Sequence, residues 1–148
     1  MPAVPSIALR PFRDGDQPDL VRQANNANVA RHLRERFPQP YTPQAAEDWI
    51  ALCRDQSPAL NLAITSADRL IGSIGLLPGS DSSRASAEVG YWLGEDHWGR
   101  GIATLALHKI VEHGFRTLPE LNRIFAYVDE GHTASLRVLE KNTLKSTT

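Results

Sequence analysis

Apolar residues along the chain recur in two kinds of pattern, one typical of strands and one typical of helices. Strand-like segments, in which apolar residues alternate or run together between turn signals, cover residues 6–12, 60–65, 70–77, 87–93 and 123–128. Segments with the helical spacing of three or four residues cover residues 20–29, 43–53, 101–117 and 133–141. The sequence therefore predicts the order strand, two helices, three strands, helix, strand and helix.

Turn and cap residues separate these segments. Thr42 followed by Pro43 is typical of an N-cap and a first helical position, and a turn at 66–69 joins two strands into a hairpin. Hairpin-linked strands followed by a strand–helix–strand unit predict an α/β fold (α+β by some criteria) in three layers, with a mixed, largely antiparallel central sheet between helices on both faces. The 148 residues fit a single domain, residues 1–148, with one core.

Composition and charge narrow the class of protein. Apolar residues make up 41% and charged residues 22%, as in ordinary soluble domains, and a net charge of −1 gives no basic field for nucleic acid. No apolar run reaches the roughly 18 residues that a membrane span needs, and residues 1–5 do not begin a secretory signal. A single cysteine excludes an internal disulfide and favours a reducing compartment. We expect a cytoplasmic protein that binds neither nucleic acid nor membrane.

The histidines and the cysteine do not predict a metal site. His108 and His113 are five residues apart, whereas zinc-binding helices place two histidines four residues apart. Cys53 has no histidine or acid at an evident catalytic spacing, and we expect it to be a buried or half-buried thiol. No metal cofactor is expected.

A glycine-rich segment, Trp98-Gly99-Arg100-Gly101-Ile102-Ala103-Thr104, lies between a predicted strand and a predicted helix. A helix N-terminus carries unpaired N–H groups and the positive end of the helix dipole, and together these bind phosphate. Gly99 and Gly101 would let an anion approach the backbone closely, while Arg100 and Thr104 could add a charge and a hydroxyl. The segment is neither a Walker motif nor a dinucleotide fingerprint. The alternative is a tight turn in which the glycines serve geometry only.

Five segments, in the same order, carry a resemblance to a known family. They are residues 7–12 (IALRPF), 40–49 (PYTPQAAEDW), 71–76 (IGSIGL), 87–104 (AEVGYWLGEDHWGRGIAT) and 133–141 (TASLRVLEK). With them the chain resembles the GCN5-related N-acetyltransferase (GNAT) superfamily, in particular its ribosomal-protein alanine N-acetyltransferase-like branch. The resemblance spans about residues 6–142, and residues 87–104 are its specific part.

The resemblance implies acetyl-coenzyme A as co-substrate. Backbone amides of residues 98–103 would bind its pyrophosphate, and the preceding strand would hold the pantetheine arm, chiefly at Leu93 with Trp92 beside it. His132 stands where the family usually has asparagine, three residues before Ser135, and its reach and charge differ from those of asparagine. The expected coenzyme-binding residues are Trp92, Leu93, Trp98, Gly99, Arg100, Gly101, Ile102, Ala103, Thr104 and His132.

Glu88 is the candidate general base. An alkyl ammonium resembles lysine, with a pKa near 10.4, so an attacking amine must lose a proton, and a carboxylate that takes it up directly or through water suffices. Glu88 lies in an otherwise apolar strand, where a carboxylate needs a partner or water. Alternation also allows a solvent-facing residue without a catalytic role. The resemblance supports a base at this position, and a backbone N–H near Leu93 would stabilise the oxyanion.

Ser135 is the second catalytic candidate, at the start of the last predicted helix. It would protonate the leaving thiolate; the alternative is a helix cap or a coenzyme contact. In the family a Gly-Phe pair and two more strands follow this helix, whereas residues 142–148 here form a polar tail without a strand pattern. We therefore expect a GNAT fold that lacks its C-terminal strand hairpin. The edge of the strand at 123–128 would then be exposed, and a homodimer that covers it is a hypothesis that follows.

The leading functional interpretation is an N-acetyltransferase that transfers acetyl from acetyl-coenzyme A to a primary amine by direct attack. The acceptor would be a small-molecule amine or a protein N-terminal amine, and residues 34–43 with the helix around Trp49 would shape its pocket. The alternative is a truncated, catalytically impaired coenzyme A-binding protein. Both interpretations predict coenzyme binding, and only the first predicts turnover.

Overall fold

The computed structural model describes residues 6–31, 40–79, 85–130 and 133–140, which form one six-stranded sheet flanked by helices. The strands are β1 (Ala8–Arg10), β2 (Asn61–Ser66), β3 (Arg69–Pro78), β4 (Ser86–Leu93), β5 (Arg123–Glu130) and β6 (Thr133–Glu140). The helices are α1 (Gln17–Ala24), α2 (Ala27–Arg31), α3 (Pro43–Arg54) and α4 (Ile102–Thr117). Short 3-10 turns at Asp14–Asp16 and Glu95–His97 come before α1 and α4.

The strands lie in the sheet in chain order, from β1 to β6. Every neighbouring pair is antiparallel except β4 and β5, which are parallel. α4 forms the crossover between these two strands, because a parallel pair cannot be joined by a tight hairpin. The predicted mixed, largely antiparallel sheet of an α/β fold is confirmed.

Each face of the sheet carries an apolar core, and different helices cover the two faces. The core under α4 includes Ile64, Ile74, Val89, Leu93, Ile102 and Ile110. The core under α1 and α3 includes Leu20, Ala24, Ala46, Ile50, Ala63 and Leu70. Helices on both faces give the three layers that the sequence predicts. Cys53 lies buried in the second core, and burial raises the pKa of its thiol to about 12, which confirms a core thiol.

A β-bulge in β3 determines which of its residues face α4. Thr65 of β2 pairs with Leu70, but the preceding residue of β2 pairs with Gly72, so Ile71 is an extra residue. Leu70 belongs to the core under α1 and α3, whereas Ile71 and Ile74 both belong to the core under α4. Strict alternation would place Ile71 and Ile74 on opposite faces. The extra residue at the bulge shifts the alternation by one position, so both side chains lie in the core under α4.

The predicted start of α3 is confirmed by its cap. Thr42 has an extended backbone, and its Oγ1 accepts a hydrogen bond from Ala45 N at 3.1 Å. Pro43 is the first helical residue, where its missing N–H costs no helical hydrogen bond. The cap fixes the point at which the chain enters α3.

Arginine–aspartate pairs attach α1 and its preceding turn to the sheet. Arg10 of β1 binds Asp16 with two hydrogen bonds of 2.7 and 2.8 Å, and the Asp16 side chain is only 5% exposed. Arg69, at the start of β3, donates to Asp19 of α1 at 2.6 and 2.9 Å. The first pair holds the turn before α1 against β1, and the second holds α1 against the start of β3.

The segment after β5 corrects one prediction. Residues 133–140 form the strand β6, antiparallel to β5 from Arg123 with Glu140 to Glu130 with Thr133, and not the helix that the sequence predicts. Along all eight residues, main-chain groups of β6 pair with β5. This pairing satisfies the hydrogen bonds that a helix would form within itself. Among the described residues the edge strand at this side of the sheet is therefore β6 rather than β5, and the expected exposure of the β5 edge, which a homodimer would cover, is wrong. Lys141 and residues 142–148 lie outside the described residues.

Candidate functional site

The glycine loop enters α4 through two residues in the left-handed region. Gly99 has a φ of 76° and Gly101, the N-cap of α4, has a φ of 77°. Residues with a Cβ rarely adopt this conformation, which accounts for glycine at both positions. A Cβ added to either glycine would meet no atom within 4 Å. The backbone at the start of α4 is therefore open to a ligand, and the helix dipole favours an anion there.

A hydrogen bond from Trp98 closes the loop back onto β4. The indole Nε1 donates to the Leu93 carbonyl oxygen at 2.9 Å, across the turn Glu95–His97. Within that turn, His97 N donates to Gly94 O at 2.9 Å and Trp98 N donates to Glu95 O at 3.2 Å. The structure thus brings together two of the predicted residues, Trp98 and Leu93, through a bond that fixes the loop to the end of the strand.

The main chain of β4 faces two different neighbours in alternation. Ser86 O accepts a hydrogen bond from Gly79 N on the β3 side, and Ala85 O accepts from Asn122 N on the β5 side. At the other end, Gly94 N donates to Ile71 O of β3. Even-numbered residues of β4 therefore turn their main-chain groups toward β3, and odd-numbered residues, Leu93 included, turn theirs toward β5.

The register between β4 and β5 covers only the first half of each strand. It runs from Ser86 with Arg123 to Val89 with Ala126, whereas β4 continues to Leu93 and β5 continues to Glu130. The main chain of Leu93 faces this side of β4 beyond the paired register. An extended ligand with amide groups could pair there as a strand would, next to the glycine loop.

The side chains of the predicted loop residues differ in what they could contact. Ile102 is 2% exposed and belongs to the core under α4, so only its main chain could reach a ligand. Ala103 is half-buried against the same core, whereas Arg100 and Thr104 are exposed. Trp98 is 41% exposed. The exposed surface of the loop therefore consists of the glycines, the indole, a guanidinium and a hydroxyl.

His97 adds a neutral imidazole beside the loop. Burial lowers the pKa of His97 below its ordinary value of 6.5, and the positive charge of Arg100 lowers it further against the opposing effect of Asp96. At neutral pH the positive charge at the loop is therefore that of Arg100 together with the dipole of α4.

Glu88 lies on β4 on the face opposite to α4. Its neighbours in the strand, Ala87 and Val89, belong to the core under α4, so alternation turns Glu88 to the side of α1 and α3, as it does Trp92. Leu77, which pairs with Glu88 from β3, is 64% exposed, so none of the helices within the described ranges covers this part of the face. Along the strand, Glu88 is about 16 Å from Leu93. A substrate amine could reach this half-buried carboxylate from solvent.

The structure does not bring Ser135 to this site. Ser135 pairs with Val128 in β6, and β5 lies between β6 and β4, so two strand spacings, about 10 Å, separate its strand from that of Glu88. Ser135 also begins no helix, so the interpretation as a helix cap is wrong. His132, the remaining predicted coenzyme contact, lies outside the described residues.

Two asparagines contact the turn before the loop, and the sequence analysis predicts neither contact. Asn26, just before α2, and Asn28, within α2, both donate to the carboxylate of Glu95. The only local signal is the polar run Asn25-Asn26-Ala27-Asn28 at the break between two helices. That run predicts a turn but not its partner, which lies 67 to 69 residues further along the chain.

Residues 6–31, 40–79, 85–130 and 133–140 contain neither a metal-binding cluster nor a membrane span. No group of three or more His, Cys, Asp or Glu side chains in this part of the chain is placed to hold a metal ion. No helix in the same ranges is long and apolar enough to cross a membrane.

Comparison with known proteins identifies the family to which this fold and loop belong. The family model described as an acetyltransferase (GNAT) domain matches residues 6–145. The uncharacterized N-acetyltransferase p20 of Bacillus licheniformis is 35% identical over 139 residues, which cover 90% of this chain and 75% of p20. The probable N-acetyltransferase YjcK of Bacillus subtilis (strain 168) is 36% identical over 88 residues, which cover 60% of this chain and 48% of YjcK.

Solved structures share the fold. The structure of Mycobacterium smegmatis RimJ in complex with CoA-disulfide matches with a TM-score of 0.68 at 23% identity, over 86% of this chain and 64% of RimJ. An acetyltransferase (GNAT family) structure from Bacillus anthracis matches with a TM-score of 0.66 at 17% identity, over 86% of this chain and 73% of that chain. By the family model and the identity to p20, the chain belongs to the GNAT acetyltransferase family.

Proposed function

We propose that this chain is an N-acetyltransferase that transfers the acetyl group of acetyl-coenzyme A to a primary amine by direct attack. The observation that carries the proposal is the pair of left-handed glycines, Gly99 and Gly101, which open the N-terminus of α4 beside the β4 edge. Membership of the GNAT family supports acetyl transfer in general. The donor, the acceptor class and the mechanism are the parts proposed here.

The loop fits the pyrophosphate of the donor. Open space at both glycines leaves room for phosphate oxygens, and main-chain N–H groups of the first turn of α4 would donate to them. Arg100, exposed on the loop, would add a positive charge. RimJ, which shares the fold, is solved in complex with CoA-disulfide, and this supports a coenzyme A-type ligand in the proposal. Acetyl-coenzyme A would supply an activated thioester at the far end of its pantetheine arm.

The β4 edge would hold that arm. Leu93 turns its main chain away from β3, beyond the register of β4 with β5, so its N–H could donate to an amide oxygen of the arm. Because Leu93 lies about 16 Å from Glu88 along β4, its N–H and the carboxylate could not both act on one tetrahedral centre, so we assign Leu93 to the arm and not to the oxyanion. The Trp98 bond to the Leu93 carbonyl holds this residue in place.

Glu88 would act as the general base. It is half-buried on the uncovered part of the sheet face, where a carboxylate could accept a proton from an ammonium group or from a bridging water. Small-molecule amines and protein N-terminal amines are the two acceptor classes proposed. We place Ser135 outside this mechanism, because β6 is separated from β4 by β5.

Calorimetric titration and a turnover assay test the proposal. We expect saturable binding of acetyl-coenzyme A and release of free thiol with at least one amine of a panel that includes peptides with free N-termini. Glu88→Gln should lower kcat about 100-fold or more at neutral pH and leave coenzyme affinity unchanged. Glu112→Gln, an exposed carboxylate on α4, is the matched control and should leave both unchanged.

Two outcomes would contradict the proposal. Absence of acetyl-coenzyme A binding would remove the assignment of the loop. Coenzyme binding without turnover on any acceptor would instead support the alternative, a catalytically impaired coenzyme A-binding protein.

A further inference from the structure

The carboxylate of Glu95 receives three hydrogen bonds from two asparagines that are remote in the sequence. Asn26 Nδ2 donates to Oε1 at 3.0 Å, and Asn28 Nδ2 donates to Oε1 at 3.0 Å and to Oε2 at 3.1 Å. Hydrogen bonds to an ionised acceptor are stronger than those between neutral groups. Glu95 is exposed, and nothing in the catalytic proposal uses it. We call these three side chains the Glu95 clamp.

The asparagines of the Glu95 clamp are themselves fixed by the fold. Asn26 Oδ1 accepts a hydrogen bond from Asn28 N at 2.8 Å, which orders the start of α2. Next to it, Asn25 Oδ1 accepts from Tyr41 N at 3.0 Å, just before α3. Hydrogen bonds from Asn28 N in α2 and from Tyr41 N, just before α3, therefore hold the connector between α1 and α2. This fixes the positions of the two side chains that donate to Glu95.

A second contact holds the same region against the turn. Gly94 is buried, and a Cβ on it would lie 1.9 Å from Oε1 of Gln23 at the end of α1. The side chain of Gln23 thus packs directly over the residue that precedes Glu95. The clamp and this contact together determine where the chain leaves β4.

The turn that Glu95 begins leads directly into the coenzyme loop. Glu95 O accepts from Trp98 N, and the Trp98 indole returns to the Leu93 carbonyl. Gly99 follows immediately, and Gly101 opens α4. Since these are short backbone links, a shift of Glu95 would carry the loop with it.

We propose that Glu95 is a positioning residue for the coenzyme loop, which it holds in its binding conformation through the side chains of Asn26 and Asn28. This inference rests on the proposed function, because it assigns the loop to the coenzyme. Glu95 does not touch the reacting atoms. It acts through the turn, so its removal should weaken coenzyme binding and leave the chemical step intact.

The test measures binding and loop dynamics on the whole chain. We expect Glu95→Ala to raise the Kd for acetyl-coenzyme A about three- to tenfold, with kcat at saturating coenzyme changed less than about twofold. Glu95→Gln, which keeps one acceptor oxygen, should retain part of the affinity. Hydrogen exchange of the ligand-free protein should become faster at residues 95–105 in Glu95→Ala, which is a change that a general loss of stability would not confine to this loop.

A double-mutant cycle identifies the partner. Asn28→Ala should weaken binding less than Glu95→Ala does, because it removes two of the three hydrogen bonds to Glu95. The double variant should be no weaker than Glu95→Ala alone, because Glu95→Ala already removes both of those bonds. Arg22→Ala is the control: it removes an exposed ion pair of α1, 2.8 Å to Asp19, and should leave coenzyme affinity and loop exchange unchanged.

The outcomes separate this inference from the proposed function. Wild-type protein that does not bind acetyl-coenzyme A would overturn the proposed function, and the exchange measurement would still test whether Glu95 holds the loop. Wild-type binding with unchanged Kd and loop exchange in Glu95→Ala would overturn the positioning role alone. Additive effects of the two substitutions would also overturn it.

Discussion

Replacing Gly101 by alanine separates the conformational role of this glycine from its role toward an anion. Its φ is 77°, and alanine in the left-handed region costs roughly 1–2 kcal/mol. A Cβ at this position meets no atom within 4 Å, so no steric clash adds to that cost. For a chain of this length we expect a Tm lower by roughly 3–6 °C.

Coenzyme binding should fall by more than this strain predicts. The added methyl group would stand in the space through which a phosphate approaches the first turn of α4. Loss of one charge-assisted hydrogen bond from a main-chain N–H costs about 1.5–3 kcal/mol, which corresponds to a Kd raised about 10- to 100-fold. Calorimetric titration with acetyl-coenzyme A at a temperature well below the variant's Tm measures this directly.

Gly15→Ala is the matched control for Gly101→Ala. A Cβ on Gly15 would also meet no atom within 4 Å, but this glycine has no left-handed φ and lies in the turn before α1. Its substitution should not lower the Tm, because alanine restricts only the unfolded chain there, and should leave the Kd unchanged. If Gly101→Ala lowers the Tm as expected but binds acetyl-coenzyme A with wild-type affinity, the glycine serves turn geometry only, and the loop is not the phosphate site.

Three further substitutions test other parts of the structure. Trp98→Phe removes the indole N–H that reaches the carbonyl at the end of β4 at 2.9 Å, and should cost about 1 kcal/mol in thermal unfolding and weaken coenzyme binding; unchanged Tm and Kd would contradict this. Gly72→Ala places a Cβ 2.3 Å from the main-chain oxygen of Trp92, so denaturant unfolding should show a loss of about 1–3 kcal/mol, and wild-type stability would show that β3 and β4 separate easily. The pKa of Asp19 is lowered, first by the hydrogen bond from Arg69. As the pH falls, the unfolded state takes up the proton first, so the stability advantage of wild type over Asp19→Asn, measured by unfolding across pH, should be full above about pH 5 and shrink below about pH 3.9; a constant advantage would be evidence against the ion pair.

Elements whose determinants are local in the sequence are predicted well. The β2–β3 hairpin has two apolar strands joined by a two-residue turn, and α3 has its cap at Thr42 and its first residue at Pro43. α4 begins where the glycines permit a left-handed entry. In each case neighbouring residues decide the conformation, so the local pattern is sufficient to predict it.

The β6 segment shows how two periods can coexist in one stretch of sequence. Ala134 and Val138 are four residues apart, as on a helix, but Ala134, Leu136 and Val138 also alternate with polar residues, as in a strand. Pairing with β5 along the whole segment selects the strand. That choice depends on a partner strand, and local spacing does not contain it.

The arrangement of the candidate site can be predicted from the sequence only where its residues are contiguous. Residues 98–101 form the loop and residues 102–104 the start of α4, and Glu88 lies on the strand that leads to them. The Glu95 clamp joins residues 67 to 69 positions apart, and its hydrogen bonds arise from the packing of α1 against the sheet. No spacing rule within a single element reports such a contact.

Because side chains and main-chain groups alternate in direction along β4, a change in the number of its residues has a larger effect than a substitution. The side chains of Glu88 and Trp92 lie on the face of the sheet opposite to α4, and Trp92 packs against the core under α1 and α3. The main chain of Leu93 is directed toward β5, and its side chain lies in the core under α4. A substitution changes a single side chain, but an inserted or deleted residue between Glu88 and Leu93 would reverse every later position at once. The Leu93 amide would then turn to β3 and its side chain would leave the core. Functional relatives should therefore keep the number of residues between the carboxylate and the glycine loop even where the residues themselves differ.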